Sequence, residues 1–171
     1  DGFADGEDVF PLNEKEAVDT DQDGIGNNED EDDDNDGLTD EKEAELSTDP
    51  LKTDTDGDGI TDDWEVEYNL DPLDATDAEI DSDYDGVSNL DEFKSGTNPK
   101  ESDTDQDEIP DKFEMDNELD PLQSEDAEQD KDADGLNNLV EYQTQTEINN
   151  ADTDGDGVED DLISEELFIG E

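Results

Sequence analysis

The chain has 171 residues, of which 64 are Asp or Glu and only 7 are Lys or Arg, so its formal net charge is −57 at pH 7. Because only 26% of the residues are apolar, hydrophobic burial alone cannot offset the entropy lost on folding, and the chain is either disordered or folded around cations. The charge excludes nucleic acid and anionic membrane surfaces as partners, and the lack of a long apolar run excludes membrane insertion.

The residue types that are missing narrow the choice of metal. The sequence contains no Cys and no His, which disfavours zinc, copper and iron–sulfur sites built from soft ligands. Oxygen ligands remain, and these suit calcium well and magnesium less well. The only methionine is Met115 and no signal peptide is recognisable, so we expect the chain to be part of a longer protein.

Residues 1–18 are predicted to be a truncated repeat followed by a connector. The segment DGFAD at residues 1–5 fits the fifth to ninth positions of an acidic loop, with Asp8 at the twelfth position. Such a loop would begin 22 residues before Asp19, which is a spacing that recurs later in the chain.

Residues 19–171 are predicted to form one repeat array. Seven copies of D-x-D-x-D, which we number in chain order as the first to seventh loop, begin at residues 19, 32, 54, 81, 103, 130 and 152. From the second loop onwards the starts are separated alternately by 22 and 27 residues, so the period is 49 residues with two loops per unit. The connectors keep the same register, since LDPL at residues 70–73 recurs at 119–122. Low-complexity acidic sequence would not keep such a register.

Each loop has the spacing of an EF-hand-like calcium loop. Positions 1, 3 and 5 carry carboxylates, and a glycine at position 6 permits a sharp bend. Position 7 offers a backbone carbonyl, position 9 a side-chain or water-mediated ligand, and position 12 a bidentate carboxylate. Taken loop by loop at positions 1, 3, 5, 7, 9 and 12, the predicted metal ligands are Asp19, Asp21, Asp23, Ile25, Asn27 and Asp30; Asp32, Asp34, Asp36, Leu38, Asp40 and Glu43; Asp54, Asp56, Asp58, Ile60, Asp62 and Glu65; Asp81, Asp83, Asp85, Val87, Asn89 and Glu92; Asp103, Asp105, Asp107, Ile109, Asp111 and Glu114; Asp130, Asp132, Asp134, Leu136, Asn138 and Glu141; and Asp152, Asp154, Asp156, Val158 and Asp160.

Three loops differ from this pattern or from the regular spacing. The fifth loop has Glu108 in place of glycine, so a residue with a side chain must adopt the strained bend. The seventh loop has Ile163 at position 12, which leaves Glu165, Glu166 or residues beyond the chain to close it. The second loop begins only 13 residues after the first, so we expect two adjoining sites that share carboxylates; the alternative is an acidic docking site for a basic partner.

Short helices are predicted after the loops, at residues 39–46, 61–69, 88–94, 111–118, 137–143 and 159–167. Helices this short are marginal alone, so the metal loops must anchor them. Paired EF-hands are disfavoured because the segments before the loops are polar, and because Pro110 at position 8 has no N–H to bridge two loops. The predicted fold is a calcium-stabilised, solenoid-like array of short helices and irregular connectors without a single central core.

The chain resembles the thrombospondin type 3 repeat in its cysteine-free bacterial form. The residues that carry the resemblance are DTDGDGI at 54–60, GTNP at 96–99 and the acidic segment 23–37. It extends over about residues 19–160 and the remnant at 1–8. The resemblance implies a calcium-wrapped chain in secreted or cell-surface proteins, where such arrays are usually spacers joined to other domains.

The predicted function is a calcium-stiffened spacer or stalk of a larger secreted or cell-surface protein, with six or more bound calcium ions and the flanking domains of the same polypeptide as partners. One alternative is a calcium-dependent adhesive module for a cell-surface or polysaccharide ligand, in which the aromatic residues Trp64, Phe93, Phe113 and Tyr142 stack on sugars instead of packing the helices. The second is an acidic disordered mimic that binds basic proteins. No catalytic residue and no enzymatic activity are predicted, because no His or Cys is present to form a nucleophile–base pair.

Overall fold

The computed structural model describes residues 9–10, 12–13 and 16–160. Its five α-helices are α1 Asp40–Leu46, α2 Asp62–Tyr68, α3 Asn89–Ser95, α4 Asp111–Asp116 and α5 Asn138–Thr144, and a 3₁₀ helix spans Asp77–Glu79. No strand occurs within the described residues. The chain divides after Ile80 into two compact units, the first containing α1, α2 and the 3₁₀ helix and the second containing α3 to α5.

The helices lie where the sequence predicts them, to within one or two residues, for the first five segments. The sixth, predicted at residues 159–167, and the N-terminal remnant at 1–8 lie mainly or wholly outside the described residues. The 3₁₀ helix was not predicted. These findings agree with a repeat protein of short helices and irregular connectors, as expected for tandem repeats of this type.

Each α-helix begins at position 9 of an acidic loop, so position 8 is its N-cap. The side chains of Thr39, Ser88 and Asn137 accept a hydrogen bond from the backbone N–H three residues further on, which satisfies one of the free N–H groups of the first turn. The glutamate at position 12 therefore falls on the fourth helical residue. Its position is fixed by the start of the helix, and the start is fixed by the loop.

The helices end in a second recurrent geometry. Ser47, Asn69, Gly96 and Gln145 adopt left-handed backbone conformations with φ between 57° and 82°. At each of these ends, the N–H of the left-handed residue donates to the backbone carbonyl of the position-12 glutamate. The same glutamate thus terminates its helix through its backbone and enters the loop through its side chain.

The buried residues of the described part are mostly polar. Seven apolar residues are buried, against eighteen polar or charged ones. Ile60 in the first unit and Ile109 and Ile148 in the second are fully buried, and several carboxylate and amide side chains are buried to the same extent. Hydrophobic packing on this scale cannot by itself hold helices of six or seven residues.

The predicted packing role of the aromatic residues has local support. Phe113 of α4 lies against Tyr142 of α5, with ring centroids 4.7 Å apart, and Trp64 lies 4.6 Å from Tyr68 within α2. All four side chains are partly buried. Within the part of the chain that the structure describes, no helix is long and apolar enough to cross a membrane.

Candidate metal centres

One hydrogen-bond frame recurs in all seven loops. The N–H of position 6 donates to the aspartate at position 1 over 2.8–3.2 Å. The N–H of position 7 donates to the aspartate at position 5 over 2.7–2.9 Å. At position 5 of the second, third, fifth and sixth loops, the other carboxylate oxygen accepts no hydrogen bond from described residues. At position 1 of the third to seventh loops, a second backbone N–H donates to the other oxygen, so both oxygens are held by the backbone. The frame is set by the local sequence, which explains why it is the same in every loop.

The backbone of the loops bends at two positions. Position 6 has a positive φ in all seven loops, and in the fifth loop this conformation falls on Glu108, with a φ of 80°. The strain predicted for Glu108 is therefore present. Position 4 also has a positive φ, which the sequence did not predict, and five of its seven residues have side chains. These five residues are Gln22, Asn35, Tyr84, Gln106 and Ala133.

The aspartates at positions 1, 3 and 5 converge. In the first four loops, one carboxylate oxygen from each of the three lies within 4.8 Å of the other two. Calcium–oxygen distances of 2.3–2.6 Å allow two ligands of one ion to be up to ~5 Å apart, so a single calcium ion fits each group. Buried aspartate oxygens that accept no hydrogen bond from described residues occur in every loop from the first to the sixth.

The position-12 glutamates are the most unusual groups in the molecule. Glu43, Glu65, Glu92, Glu114 and Glu141 are all fully buried. The first of them accepts one long hydrogen bond, from the Thr48 hydroxyl at 3.4 Å. Neither carboxylate oxygen of the other four accepts a hydrogen bond from any described residue. Burying an ionised carboxylate without a partner is very unfavourable, so these sites require a positive charge or a proton.

Burial and repulsion raise the pKa of these carboxyl groups strongly. Desolvation is the largest cause, followed by repulsion from the aspartates at positions 3 and 5 of the same loop. The pKa rises to about 9 for Glu65 and Glu114, to about 8 for Glu92, and to about 7 for Glu43 and Glu141. A divalent cation at the loop centre would reverse this effect by favouring the ionised forms.

The lysines among the described residues do not supply the missing positive charge. The structure contains these exposed ion pairs: Lys42–Glu45, Lys52–Asp49, Lys94–Asp91 and Lys112–Asp116. None of the four pairs includes a predicted metal ligand, and exposed pairs contribute little stability. The buried carboxylates of the loops therefore fit a bound metal ion better than any protein partner.

The position-9 side chains have a second role that the sequence did not predict. Both oxygens of Asp62 accept hydrogen bonds from the backbone N–H and the hydroxyl of Thr55, at 2.8 and 2.7 Å. Asp111 holds Thr104 in the same way, at 2.7 Å for both bonds. In these loops the position-9 carboxylate is therefore hydrogen-bonded to the threonine at position 2. Contact of position 9 with a metal ion, direct or through water, stays a prediction.

Sequence reasoning missed acidic residues from outside the loops. Asp77, in the 3₁₀ helix, has a carboxylate oxygen within 4.8 Å of ligand oxygens of Asp58 and Glu65. Asp126 and Glu16 are also nine-tenths buried, and each has one carboxylate oxygen without a hydrogen-bond partner among described residues. The only sequence signal for the first of them is its recurrence, since Asp77 and Asp126 are one 49-residue period apart.

The first and seventh loops are the least enclosed. The position-7 side chains Ile25 and Val158 are each 46% exposed, whereas the corresponding Ile60 is fully buried. In the first loop, Asp30 at position 12 uses its Oδ1 to accept from two backbone N–H groups. The closing residues considered for the seventh loop lie outside the described residues. The first two loops contact each other, since the Asn35 amide donates to Asp21, but sharing of an ion stays a prediction.

A family model of the bacterial TSP3 repeat matches residues 32–53 and 54–75. Residues 32–75 are two bacterial TSP3 repeats. Each matched segment contains one acidic loop, the helix that follows it and the connector to the next loop. The predicted thrombospondin type 3 repeat without cysteine is therefore confirmed. A comparison with curated proteins finds no match to the chain.

TSP3 repeats bind calcium, so the chain contains a calcium-binding repeat region. The third loop, which begins the second TSP3 repeat, has the same hydrogen-bond frame and the same buried glutamate as the fourth, fifth and sixth loops. The hydrogen-bond frame and the buried glutamate of the matched repeats thus recur in the second unit.

Proposed function

We propose that the chain is a calcium-stiffened spacer in which each acidic loop holds one calcium ion. The observation that carries the proposal is the set of five fully buried position-12 glutamates, which have no cationic partner among the described residues. In this proposal a bound calcium ion is coordinated by both oxygens of such a glutamate and by one oxygen each of the aspartates at positions 1, 3 and 5. A carboxylate oxygen that accepts a backbone hydrogen bond keeps a lone pair for the ion. The position-7 carbonyl completes the set that the loop itself provides.

The number of ions is proposed to be six or more. Seven divalent ions would cancel only about a quarter of the net charge of −57, so electrostatics favours full occupancy and further weakly held ions. The first and seventh loops are proposed to be the weakest, because their position-7 side chains are exposed and neither has a buried position-12 glutamate among the described residues.

Native mass spectrometry in calcium tests the ion count. At least six specifically bound ions are expected, and three or fewer would contradict the proposal. The variant Glu114→Gln should lose one ion at limiting calcium, because it removes a bidentate carboxylate from the fifth loop. The matched control Glu118→Gln changes an exposed residue just after α4 and should leave the ion count unchanged.

The spacer role is supported by the repeat pattern and by the small apolar core. Neighbour-only contacts make a repeat array extended and solenoid-like, and calcium can stiffen it by linking loop to helix within each repeat. A compact globule of this length would have a radius of gyration of roughly 15–16 Å. Small-angle scattering in calcium should give a clearly larger value. A compact value would contradict the spacer, and a chain that stays disordered in calcium would favour the acidic mimic.

An extracellular or cell-surface setting is part of the proposal. TSP3 repeats occur in extracellular proteins. Extracellular calcium modules typically have dissociation constants of about 10⁻⁴–10⁻³ M, so their sites fill outside a cell and remain empty at cytosolic calcium. No enzymatic role is proposed. An adhesive role would instead appear as calcium-dependent retention on polysaccharide or on cells.

A further inference from the structure

A carboxylate from a connector reaches the third loop. One oxygen each of Asp58, Glu65 and Asp77 lies within 4.8 Å of the other two, although Asp77 is outside the loop. Asp77 begins the 3₁₀ helix and is 8% exposed. Its Oδ2 accepts a hydrogen bond from the backbone N–H of Asp71 at 2.8 Å, which fixes the orientation of the carboxylate.

The same arrangement recurs in the second unit. Asp126 is 9% exposed, and its Oδ2 accepts from the backbone N–H of Asp120 at 2.7 Å. Its Oδ1 is buried and accepts no hydrogen bond from any described residue. Repulsion from Asp126 acts on Glu114 and Asp105 of the fifth loop, which places its carboxylate beside that loop. Two separate units of the chain thus bring an additional buried carboxylate to a loop whose own glutamate is fully buried.

The third and fifth loops need an additional ligand because their position-9 carboxylates are hydrogen-bonded to threonines. Both oxygens of Asp62 are bonded to Thr55, and both oxygens of Asp111 are bonded to Thr104. A calcium ion usually takes six to eight oxygen ligands, so a loop that uses its position-9 side chain as a brace needs another donor. A carboxylate is the strongest donor that the connector offers.

We infer that Asp77 and Asp126 are calcium ligands of the third and fifth loops, supplied by the connectors that follow α2 and α4. This inference rests on the proposed function, in which these loops hold calcium. The ion then ties a segment 12 residues beyond the position-12 glutamate back to the loop. It also offsets the repulsion among three carboxylates that lie close together with little access to water.

The alternating spacing of the loops matches a difference in the acceptor that follows each loop. The second and fourth loops each begin 22 residues before the next loop. In the connectors that follow them, the backbone N–H equivalent to that of Asp71 donates to a threonine hydroxyl at 2.8 Å. These two bonds join Asp49 to Thr55 and Asn98 to Thr104. The third and fifth loops each begin 27 residues before the next loop. In the connectors that follow them, an aspartate carboxylate replaces the threonine hydroxyl as the acceptor, and its second oxygen lies towards the loop. The third and fifth loops therefore receive a carboxylate from the connector that follows them, at the place where a threonine hydroxyl follows the second and fourth loops.

Terbium luminescence sensitised by Trp64 tests the inference at one site. Trp64 is the only tryptophan and directly precedes Glu65, so Tb³⁺ emission excited through tryptophan reports the third loop and also the second loop, whose Gly37 lies near Asp63. The part of the emission that is lost in Glu65→Gln is the signal of the third loop. Competition with calcium then gives the calcium affinity of that loop. Asp77→Asn should lower the affinity about tenfold or more, because its single oxygen cannot both accept from Asp71 and bind the ion. The control Glu79→Gln removes the same charge from an exposed residue of the same 3₁₀ helix and should change the affinity little.

A second variant separates metal binding from folding. Asp77→Thr introduces a hydroxyl like those of Thr55 and Thr104, which accept from the corresponding N–H groups of Asp49 and Asn98. It therefore retains an acceptor for the Asp71 N–H and removes the carboxylate. Circular dichroism at saturating calcium should show wild-type helix content, while the affinity of the third loop falls as in Asp77→Asn. Wild-type affinity in Asp77→Thr would overturn the inference. Absence of calcium-displaceable Tb³⁺ emission from the unsubstituted chain would instead overturn the proposed function.

Discussion

At the scale of single residues, the molecule places carboxylates where other proteins place apolar side chains. Glu65 and Glu114 are as fully buried as Ile60 and Ile109. The surrounding aspartates raise the pKa of both glutamates further, to about 9. Each of these buried glutamates is unfavourable without a cation and favourable with one, so the residues that we propose as calcium ligands also form much of the buried interior.

Glu108 is the residue whose replacement should improve a site. Its φ of 80° lies in the left-handed region, where glycine occurs at the corresponding position of the other loops. Glu108→Gly should stabilise the calcium-loaded chain by about 1 kcal/mol, because glycine adopts this conformation without steric cost. Thermal unfolding in calcium measures the change, and calcium titration should show tighter binding at the fifth loop with no change at the third.

The control for this substitution is Glu108→Gln. It retains the strained conformation and removes only the charge of an exposed side chain, so it should stabilise the chain much less than glycine does. If glutamine and glycine gave equal stabilisation, charge and not backbone strain would explain the effect. Weaker calcium binding in Glu108→Gly would show that the account of position 6 is wrong for this loop.

At the scale of elements, loop and helix form one unit. The residue at position 8 caps the helix, and position 12 is its fourth residue. The backbone carbonyl of position 12 accepts the hydrogen bonds from the N–H groups at the C-terminal end of the helix. The helices of six or seven residues are too short to be stable alone. A calcium ion that fixes position 12 therefore also fixes the helix.

Ser88 should be a measurable helix cap. Its hydroxyl accepts from the N–H of Asp91 at 3.3 Å, whereas Thr61 at the corresponding place makes no capping bond and donates to Asp63 instead. Ser88→Ala should destabilise the calcium-loaded chain by about 1 kcal/mol, and Thr61→Ala should cost less. Chemical denaturation in calcium compares the two variants. Equal losses would mean that position 8 contributes through backbone preference and not through the side-chain cap.

At the scale of the whole molecule, stability should depend on calcium. Each ion that binds only the folded chain adds RT ln(1 + [Ca]/Kd), which is about 1.4 kcal/mol at ten times Kd. Seven such sites would add roughly 10 kcal/mol, as much as the entire stability of an ordinary domain. We therefore expect the chain to lose most of its helix in chelator and to regain it with calcium at about 10⁻⁵–10⁻³ M. Circular dichroism and hydrogen exchange follow this transition, and unchanged protection in chelator would refute the coupling.

The calcium-free chain should respond to pH in an unusual direction. The position-12 glutamates have a pKa of 4.5 when unfolded and of about 7 to 9 when buried in the fold without a cation. The calcium-free fold therefore binds more protons than the unfolded chain, and its stability is greatest below pH 4.5 and is lost as pH rises through 7 to 9.

Helix content in calcium-stripped solution should consequently increase as pH is lowered from about 9 towards 5. Calcium affinity should change in the opposite sense, because protons compete with the ion for the same carboxylates. Far-ultraviolet circular dichroism and calcium titration at several pH values measure the two trends. Helix content that falls on acidification in this range would contradict the predicted protonation of the buried glutamates.

The local chemistry of the loops was determined by the sequence alone. The frame of each loop and the start of its helix involve residues within twelve positions of one another, so spacing is enough to predict them. The convergence of Asp54, Asp56 and Asp58 and the positive φ of Glu108 followed from this local pattern. Because the loops recur with a 49-residue period, the prediction made for one loop applied to the whole array.

Contacts across the connectors were decided only by the tertiary structure. The bracing of Thr55 by Asp62 and the approach of Asp77 to Glu65 both depend on how the chain folds back between elements. In a sequence with 64 acidic residues, composition gives no reason to choose Asp77 over its neighbours. The choice depends on which carboxylates become buried beside a loop, and burial is a property of the folded chain.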